Sequence, residues 1–423
     1  MKFLNKIFNQ SIKDDHKIIV TNYFSLSILQ IANYILPLLI LPYLVRVLGT
    51  EKFGLIMFAQ ALATFLTVFV DFGFNLSGTR EVSVARNQRE KLSEIFSAIM
   101  IIKAGLICLA FFVLFIIVKV FTRFSADAYI YFLSFGIVIG QALFPVWFFQ
   151  GIEKMKIVTL INVLAKVIFT ILVFSLVKVE AEYILVPAFN SLGFIVAGAL
   201  GLFLSLKYVQ FKIPSFKLIK RLLFESSSLF VSNFATMLYT YGNVFILGIF
   251  TGNTLVGVYS SMEKLILAIK NIFTPLYQAL YPWLTNQNDK KKINVIKKLS
   301  PIVLLIGVLI TLSIVLYGNL FLSIIYNDVL INNYTIIFKI LSLISIFSAL
   351  SMLYNTLFFP AVKKYKTRMS ILVSAGLFNL ILSLILVPQF GIFGTTYAFV
   401  TTEFLLLILG RYYFKKYVIE WKG

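Results

Sequence analysis

Twelve apolar stretches, each long enough to cross a bilayer, follow one another along this chain with short polar turns between them. They cover residues 18–45, 53–75, 93–118, 127–150, 157–178, 183–206, 225–250, 255–284, 299–317, 334–359, 368–388 and 391–411. Roughly 20 apolar residues in a helix span the ~30 Å of hydrocarbon in a membrane. Inside that layer every backbone donor and acceptor must be satisfied within the protein, which leaves helix bundles or closed barrels. The alternation a barrel strand needs is missing, so the expected fold class is an all-α membrane protein with twelve transmembrane helices. A hydrophobic content of 60% and a mean hydropathy of +0.94 agree with that reading. Both lie far above the values of a soluble domain.

A net charge of +21 invites a nucleic-acid partner, but the placement of the bases argues against one. Of the 38 Lys and Arg residues, 28 fall in the two tails and in alternate turns between spans. The intervening turns hold only Arg46, Lys52, Lys119, Arg123 and Lys178. The positive-inside rule then places both termini of a multi-pass membrane protein in the cytoplasm. The first apolar stretch is too long for a cleaved signal and lacks a clear small-residue cleavage site. Cys108, the one cysteine, lies within a span and is expected as a small core residue. His16, the one histidine, lies in the N-terminal tail, so a histidine-based metal site or catalytic triad is not expected. Walker, metalloprotease and nucleophile-elbow patterns are missing, as are paired cysteines. No loop carries the acidic pair that would hold a metal and a nucleotide-sugar. The chain reads as a non-enzyme without a cofactor.

The chain also reads as a repeat. Gln30, Asn33 and Pro37 at helical spacing map, 203 residues on, to Asn233, Thr236 and Thr240. Gln60, Thr64, Thr67 and Asp71 map to Glu263, Leu267, Lys270 and Thr274, and Gly49 and Gly54 to Gly252 and Gly257. A second signal has an offset of 210, pairing Phe148-Phe149-Gln150-Gly151 with Phe358-Phe359-Pro360-Ala361 and Lys154 and Lys156 with Lys364 and Lys366. Lys207 to Phe224, basic and containing Pro214, divides six spans from six. The expected organisation is a lobe over residues 1–208, a cytoplasmic linker over 209–224 and a second lobe over 225–423. With six spans each, both lobes enter from the same side, so their pseudo-two-fold axis runs along the membrane normal. Polar stripes in matching apolar helices imply a wet cleft between the lobes.

Charges within spans mark the chemistry, since each costs ~2.5–3.5 kcal/mol at mid-helix on insertion scales. Glu263 and Lys270 share a face of the eighth span, continued by Thr274, Tyr277 and Tyr281. That face lines the cleft, glues the bundle, or lets Glu263 neutralise Lys264. Asp71 ends the stripe of the second span and either pairs with Arg80 as a gate or caps its helix. Lys166 sits mid-span beside Asn162 and Thr170, and Glu403 mid-span beside Thr396. Glu403 is either a proton or sodium site or the partner of a lysine. Lys103 and Lys339 are near enough to span ends to snorkel. Five lysines (103, 166, 264, 270, 339) against Asp71, Glu263 and Glu403 favour an anion in the cleft, such as a diphosphate.

The stretches Leu41-Pro-Tyr-Leu-Val-Arg46-Val-Leu-Gly49-Thr-Glu51-Lys-Phe-Gly54, Val70-Asp71-Phe-Gly73-Phe-Asn75-Leu-Ser77-Gly-Thr-Arg80-Glu81 and Pro145-Val-Trp147-Phe-Phe-Gln150-Gly151-Ile-Glu153-Lys154-Met resemble the Wzx-type O-antigen and polysaccharide repeat-unit flippases. Glu263-Lys264 and Leu280-Tyr-Pro282 fit that family's eighth helix, and the resemblance spans the whole chain. It implies the multidrug/oligosaccharidyl-lipid/polysaccharide exporter fold, two six-helix lobes in a V around a central cleft lined by helices 1, 2, 7 and 8. It also implies a substrate, an undecaprenyl-diphosphate-linked oligosaccharide moved from the cytoplasmic to the outer leaflet by alternating access. On that reading Lys270, Lys264, Lys166, Arg46, Gln30, Asn33, Asn233 and Gln60 are expected to contact substrate. Glu403, Glu263, Asp71 and Arg80 are expected to couple H+ or Na+ or to close gates. The expected partners are the lipid bilayer and a polysaccharide polymerase, with the flippase working as a monomer. Alternatives are a drug/cation antiporter of the same fold and a membrane glycan polymerase or ligase. The first wants an acidic lining, and the second a large external loop.

Overall fold

The computed structural model describes residues 13–422 and, among them, most side chains from residue 36 onward. Gln30 and Asn33 lie outside the described side chains. Among the described residues the chain is helical throughout, with short turns and no strands. The first half comprises α1 (Lys13–Asp71), α2 (Phe74–Ala85), α3 (Arg89–Val120), α4 (Thr122–Ser125), α5 (Ala128–Leu143), α6 (Val146–Gly151), α7 (Met155–Leu176) and α8 (Leu185–Ser205). The second half comprises α9 (Phe216–Thr240), α10 (Gly242–Phe250), α11 (Asn253–Asn271), α12 (Phe273–Thr285), α13 (Asp289–Ile325), α14 (Val329–Asn333), α15 (Thr335–Leu341), α16 (Ile344–Met352), a π-turn (Leu353–Phe358), α17 (Phe359–Ala361), α18 (Tyr365–Phe390) and α19 (Ile392–Lys422).

Within α1 the chain reverses at Gly49, whose φ of 70° is the left-handed conformation that costs a glycine least. A Cβ there would meet nothing within 4 Å, so backbone conformation alone demands the glycine. Nine helical stretches among the described residues are long and apolar enough to cross a membrane. Twelve were expected. The stretches at 225–250 and 255–284 are helical but broken, at Tyr241 and Ile272, and carry the polar residues that a lipid-facing helix avoids. The stretch at 18–45 lies largely outside the described side chains.

Burial divides the interior into three apolar clusters. One joins both halves, with Leu48, Phe53 and Phe58 of α1 packed together with Leu247, Val258, Tyr259 and Met262. Many of its residues, such as Leu48, Phe124 and Ile331, lie beside the lysine-poor turns. The other two lie at the lysine-rich end. Of these, one is formed almost wholly by the first half around Phe96, Trp147 and Phe148. The other belongs wholly to the second half, around Tyr277, Leu357 and Phe358. Among the described residues the halves thus share a core at one end and have largely separate cores at the other.

Outward faces are apolar. α3 exposes Leu109, Phe111, Phe112 and Phe115, and α13 exposes Leu305, Leu309, Leu312 and Leu316. Helices that are apolar nearly all round suit a lipid surround. Cys108 lies on this surface of α3 and is exposed, not the core residue its small size suggested.

Candidate functional site

The halves meet most closely where α1 passes α11. A Cβ on Gly54 would stand 1.9 Å from the Asn253 carbonyl oxygen, and one on Gly257 would stand 1.9 Å from that of Thr50. Thr50 and Asn253, like Gly54 and Gly257, are 203 residues apart. Each half therefore offers the same groove to the same carbonyl of the other, the reciprocity of a two-fold contact.

Two arginines close this end. Arg46, expected on substrate, instead grips the end of α13, donating from Nε to the Tyr326 carbonyl (3.2 Å) and from a terminal nitrogen to those of Ile324 and Ile325 (2.7 Å each). Arg123 donates to the Gly248 carbonyl (2.9 Å) and to Asn253 Oδ1 (2.6 Å), with its guanidinium over the ring of Phe58. Planar forks suit such convergent acceptors, whereas an ammonium is a point charge. Arg46→Lys is expected to loosen this seal. With Cys108 replaced by serine, spin labels at exposed Phe121 and Val329 should show a longer distance population in Arg46→Lys. An unchanged distance distribution would rule Arg46 out as a clamp.

Deeper in, the charges sort into pairs. Lys270 Nζ lies 2.5 Å from Glu403 Oε1, joining α11 to α19; the carboxylate is 1% exposed and the lysine 18%. Lys103 Nζ lies 3.1 Å from Asp71 Oδ1, joining α3 to α1. That overturns two expectations. Asp71 does not pair with Arg80, which is exposed, and Lys103 does not snorkel but is buried at 3%. Asp71 does not cap the end of its own helix either: its Oδ2 accepts weakly from the Asn75 amide (3.4 Å), in the first turn of α2. Glu263 is 1% exposed and makes no ion pair with Lys264, whose ammonium lies over the Tyr241 ring, 5.6 Å from its centroid.

Lys166 is not brought to Lys270. It lines a cavity of about 220 Å³ within the first half, with Gln60, Asn162, Thr170 and Asn190 and apolar walls from Leu36, Met57 and Phe169. The threonines of the stripes are satisfied locally. Thr64 and Thr67 donate to the Gln60 and Ala63 carbonyls, and Thr236 and Thr240 to those of Ser232 and Thr236. Asn233 is half-buried on α9.

At the lysine-rich end, among the described residues, the contacts between the halves run through α9. Ser77 and Ser226 hydroxyls are 2.7 Å apart, Arg221 reaches Glu81 at 2.9 Å, and Phe72 stacks on Phe230 at 4.8 Å. Gly73, with a φ of 82°, lets α1 turn here against the α9 backbone. α12 packs mainly on α11, the π-turn and α17, all of its own half. Sequence reasoning missed Arg123, Ser226 and Glu81 as inter-half contacts. Arg123 alone had a signal, as one of the five bases on the lysine-poor side.

A family model described as "Polysaccharide biosynthesis protein" matches residues 19–288. A putative O-antigen transporter of Escherichia coli (strain K12) is 30% identical over 393 residues, covering 92% of this chain and 94% of that one. Two solved structures share the fold. An inward-facing multidrug resistance MATE family transporter of the MOP superfamily aligns with a TM-score of 0.70 at 14% identity, over 94% of this chain and 98% of its own. The lipid II flippase MurJ, in an inward closed conformation, aligns with a TM-score of 0.67 at 15% identity, over 92% and 87%.

Proposed function

Because this chain belongs to the polysaccharide biosynthesis protein family, we propose that it is a flippase for an undecaprenyl-diphosphate-linked oligosaccharide. It moves this substrate from the cytoplasmic to the outer leaflet of the bacterial inner membrane, for O-antigen or capsule assembly. Twelve spans form two six-helix lobes about an axis along the membrane normal, with both termini in the cytoplasm. The observation that carries this reading is the unequal division of the core: one apolar cluster joins the halves, and two separate clusters lie at the lysine-rich end. A bundle that shares a core at one end and is bridged mainly through α9 at the other has its freedom to open on the side with the lysines. That is the leaflet from which a cytoplasmic precursor would enter.

Lys264 faces the diphosphate in this cleft, and Lys270 joins it on release from Glu403. Lys166, Gln60 and Asn190, in the cavity of the first lobe, meet a different part of the substrate. Alternating access requires the arginine seal to open as the lysine-rich end closes, driven by an H+ or Na+ gradient. The antiporter reading is weaker, because Asp71 and Glu403 already hold lysines and, among the described residues, Glu263 alone of the three carboxylates is without one. The polymerase or ligase reading does not fit a family whose relative is named a transporter.

Deleting the gene is expected to leave the lipid-linked repeat unit accumulated on the cytoplasmic leaflet and the surface polysaccharide missing. Continued export in the deletion strain would refute the reading. Lys264→Gln is expected to lower export by about tenfold, the effect of one lost charge–anion contact of about 1.4 kcal/mol. Surface polysaccharide per molecule of membrane-inserted protein measures it.

A further inference from the structure

We propose that Glu263 carries the coupling proton, an assignment that rests on the flippase reading. Three carboxylates stood as candidates, and ion pairing separates them. Asp71 holds Lys103, and Glu403 holds Lys270. A carboxylate held by a lysine is already neutralised as a pair, and taking up a proton would strand the ammonium. Glu263 is different. It is 1% exposed, and among the described residues no lysine or arginine lies within ion-pair distance. Its Oε1 is buried without a hydrogen-bond partner. A bare carboxylate in that position is costly, and a group so placed is neutralised.

Its surroundings fit a neutral acid. The Tyr259 hydroxyl, one turn before it, lies against the carboxyl, and those of Ser260 on the same helix and of Ser345 on α16, which packs against α11, are buried without partners among the described residues. A carboxylic acid can donate as well as accept, so it can satisfy an oxygen that a carboxylate cannot. The titratable groups that act on Glu263 are Tyr259, one turn before it, and Lys264, next along, both on α11. Among the described residues none from α1, α15, α16 or α19 does so. The Lys264 ammonium is turned to Tyr241.

Position gives the proton a mechanical effect. Glu263 lies less than two turns from Gly257, where α11 meets α1, and seven residues before Lys270. A charge appearing on Glu263 would favour a conformation in which α11 meets water or a cation there. Protonation holds α11 packed in the sealed state, and loss of the proton releases it.

Infrared difference spectroscopy of the full-length protein in liposomes tests this directly. Wild type at neutral pH is expected to show a protonated-carboxyl band that shifts in D2O. Glu263→Gln should lose the band, and Glu403→Gln should keep it. Proton release on adding undecaprenyl diphosphate, in weak buffer, is expected in wild type and absent in Glu263→Gln. No protonated band in wild type, a band that survives Glu263→Gln, or release that survives it overturns the assignment. Failure of the deletion strain to accumulate precursor would instead overturn the flippase reading and leave the band unaffected.

Discussion

Glu403→Ala is expected to destabilise the protein by about 3–5 kcal/mol, the cost of leaving one member of a buried ion pair alone. Glu403 is 1% exposed, and its partner Lys270 is held 2.5 Å away between α11 and α19. Removing the carboxylate leaves an ammonium within a span without its counter-charge. The double variant Lys270→Met with Glu403→Leu removes both charges and keeps volume. Its stability should return to near that of wild type, because the pair's own attraction is largely cancelled by desolvation. Export should stay lost in the double variant, since the cleft no longer offers Lys270 to an anion. Unfolding midpoints in detergent and surface polysaccharide in cells separate the two effects. A double variant as unstable as Glu403→Ala would show that the pair contributes through geometry and not through charge balance.

Gly257→Val should have a comparable effect by a steric route. Even the first added carbon meets the Thr50 carbonyl at 1.9 Å, so α1 and α11 must part. Overpacking of this kind costs about 1–3 kcal/mol. Here the strain falls on the sealed state alone, so the seal opens before the protein unfolds. Labels at Phe121 and Val329 should report a population with the lysine-poor end open, and export should fall. Gly105→Ala is the control. A Cβ at Gly105 meets nothing within 4 Å, and its helix should gain up to about 1 kcal/mol. A seal that stays shut in Gly257→Val would mean that the surrounding helices absorb the strain.

Much of this architecture was legible because the membrane restricts what sequence can do. Apolar runs marked the helices, and the glycines at an offset of 203 marked a repeat, though not that the halves meet at Gly54 and Gly257. Intramembrane charges were equally visible, since Lys103, Lys270, Glu263 and Glu403 stand out against their spans. Their partners were not visible. Whether Asp71 meets Arg80, nine residues on, or Lys103, on the next long helix, depends on how α1 and α3 are rotated about their axes. Hydropathy carries no information on that rotation. The same ignorance placed Arg46 on substrate instead of on three carbonyls at the end of α13. Cys108 failed differently: small size suits a core, but a lipid-facing helix accepts a thiol at no penalty.

The paired glycine grooves carry a historical implication. A surface that receives on one side the same carbonyl it offers on the other is self-complementary. A half-length chain bearing Thr50 and Gly54 could have docked against an identical copy of itself, with no second partner needed. In the present chain both surfaces lie in one polypeptide, so the positions beside them are free to differ: Gln60 and Glu263, also 203 residues apart, differ in charge where the backbone contact does not.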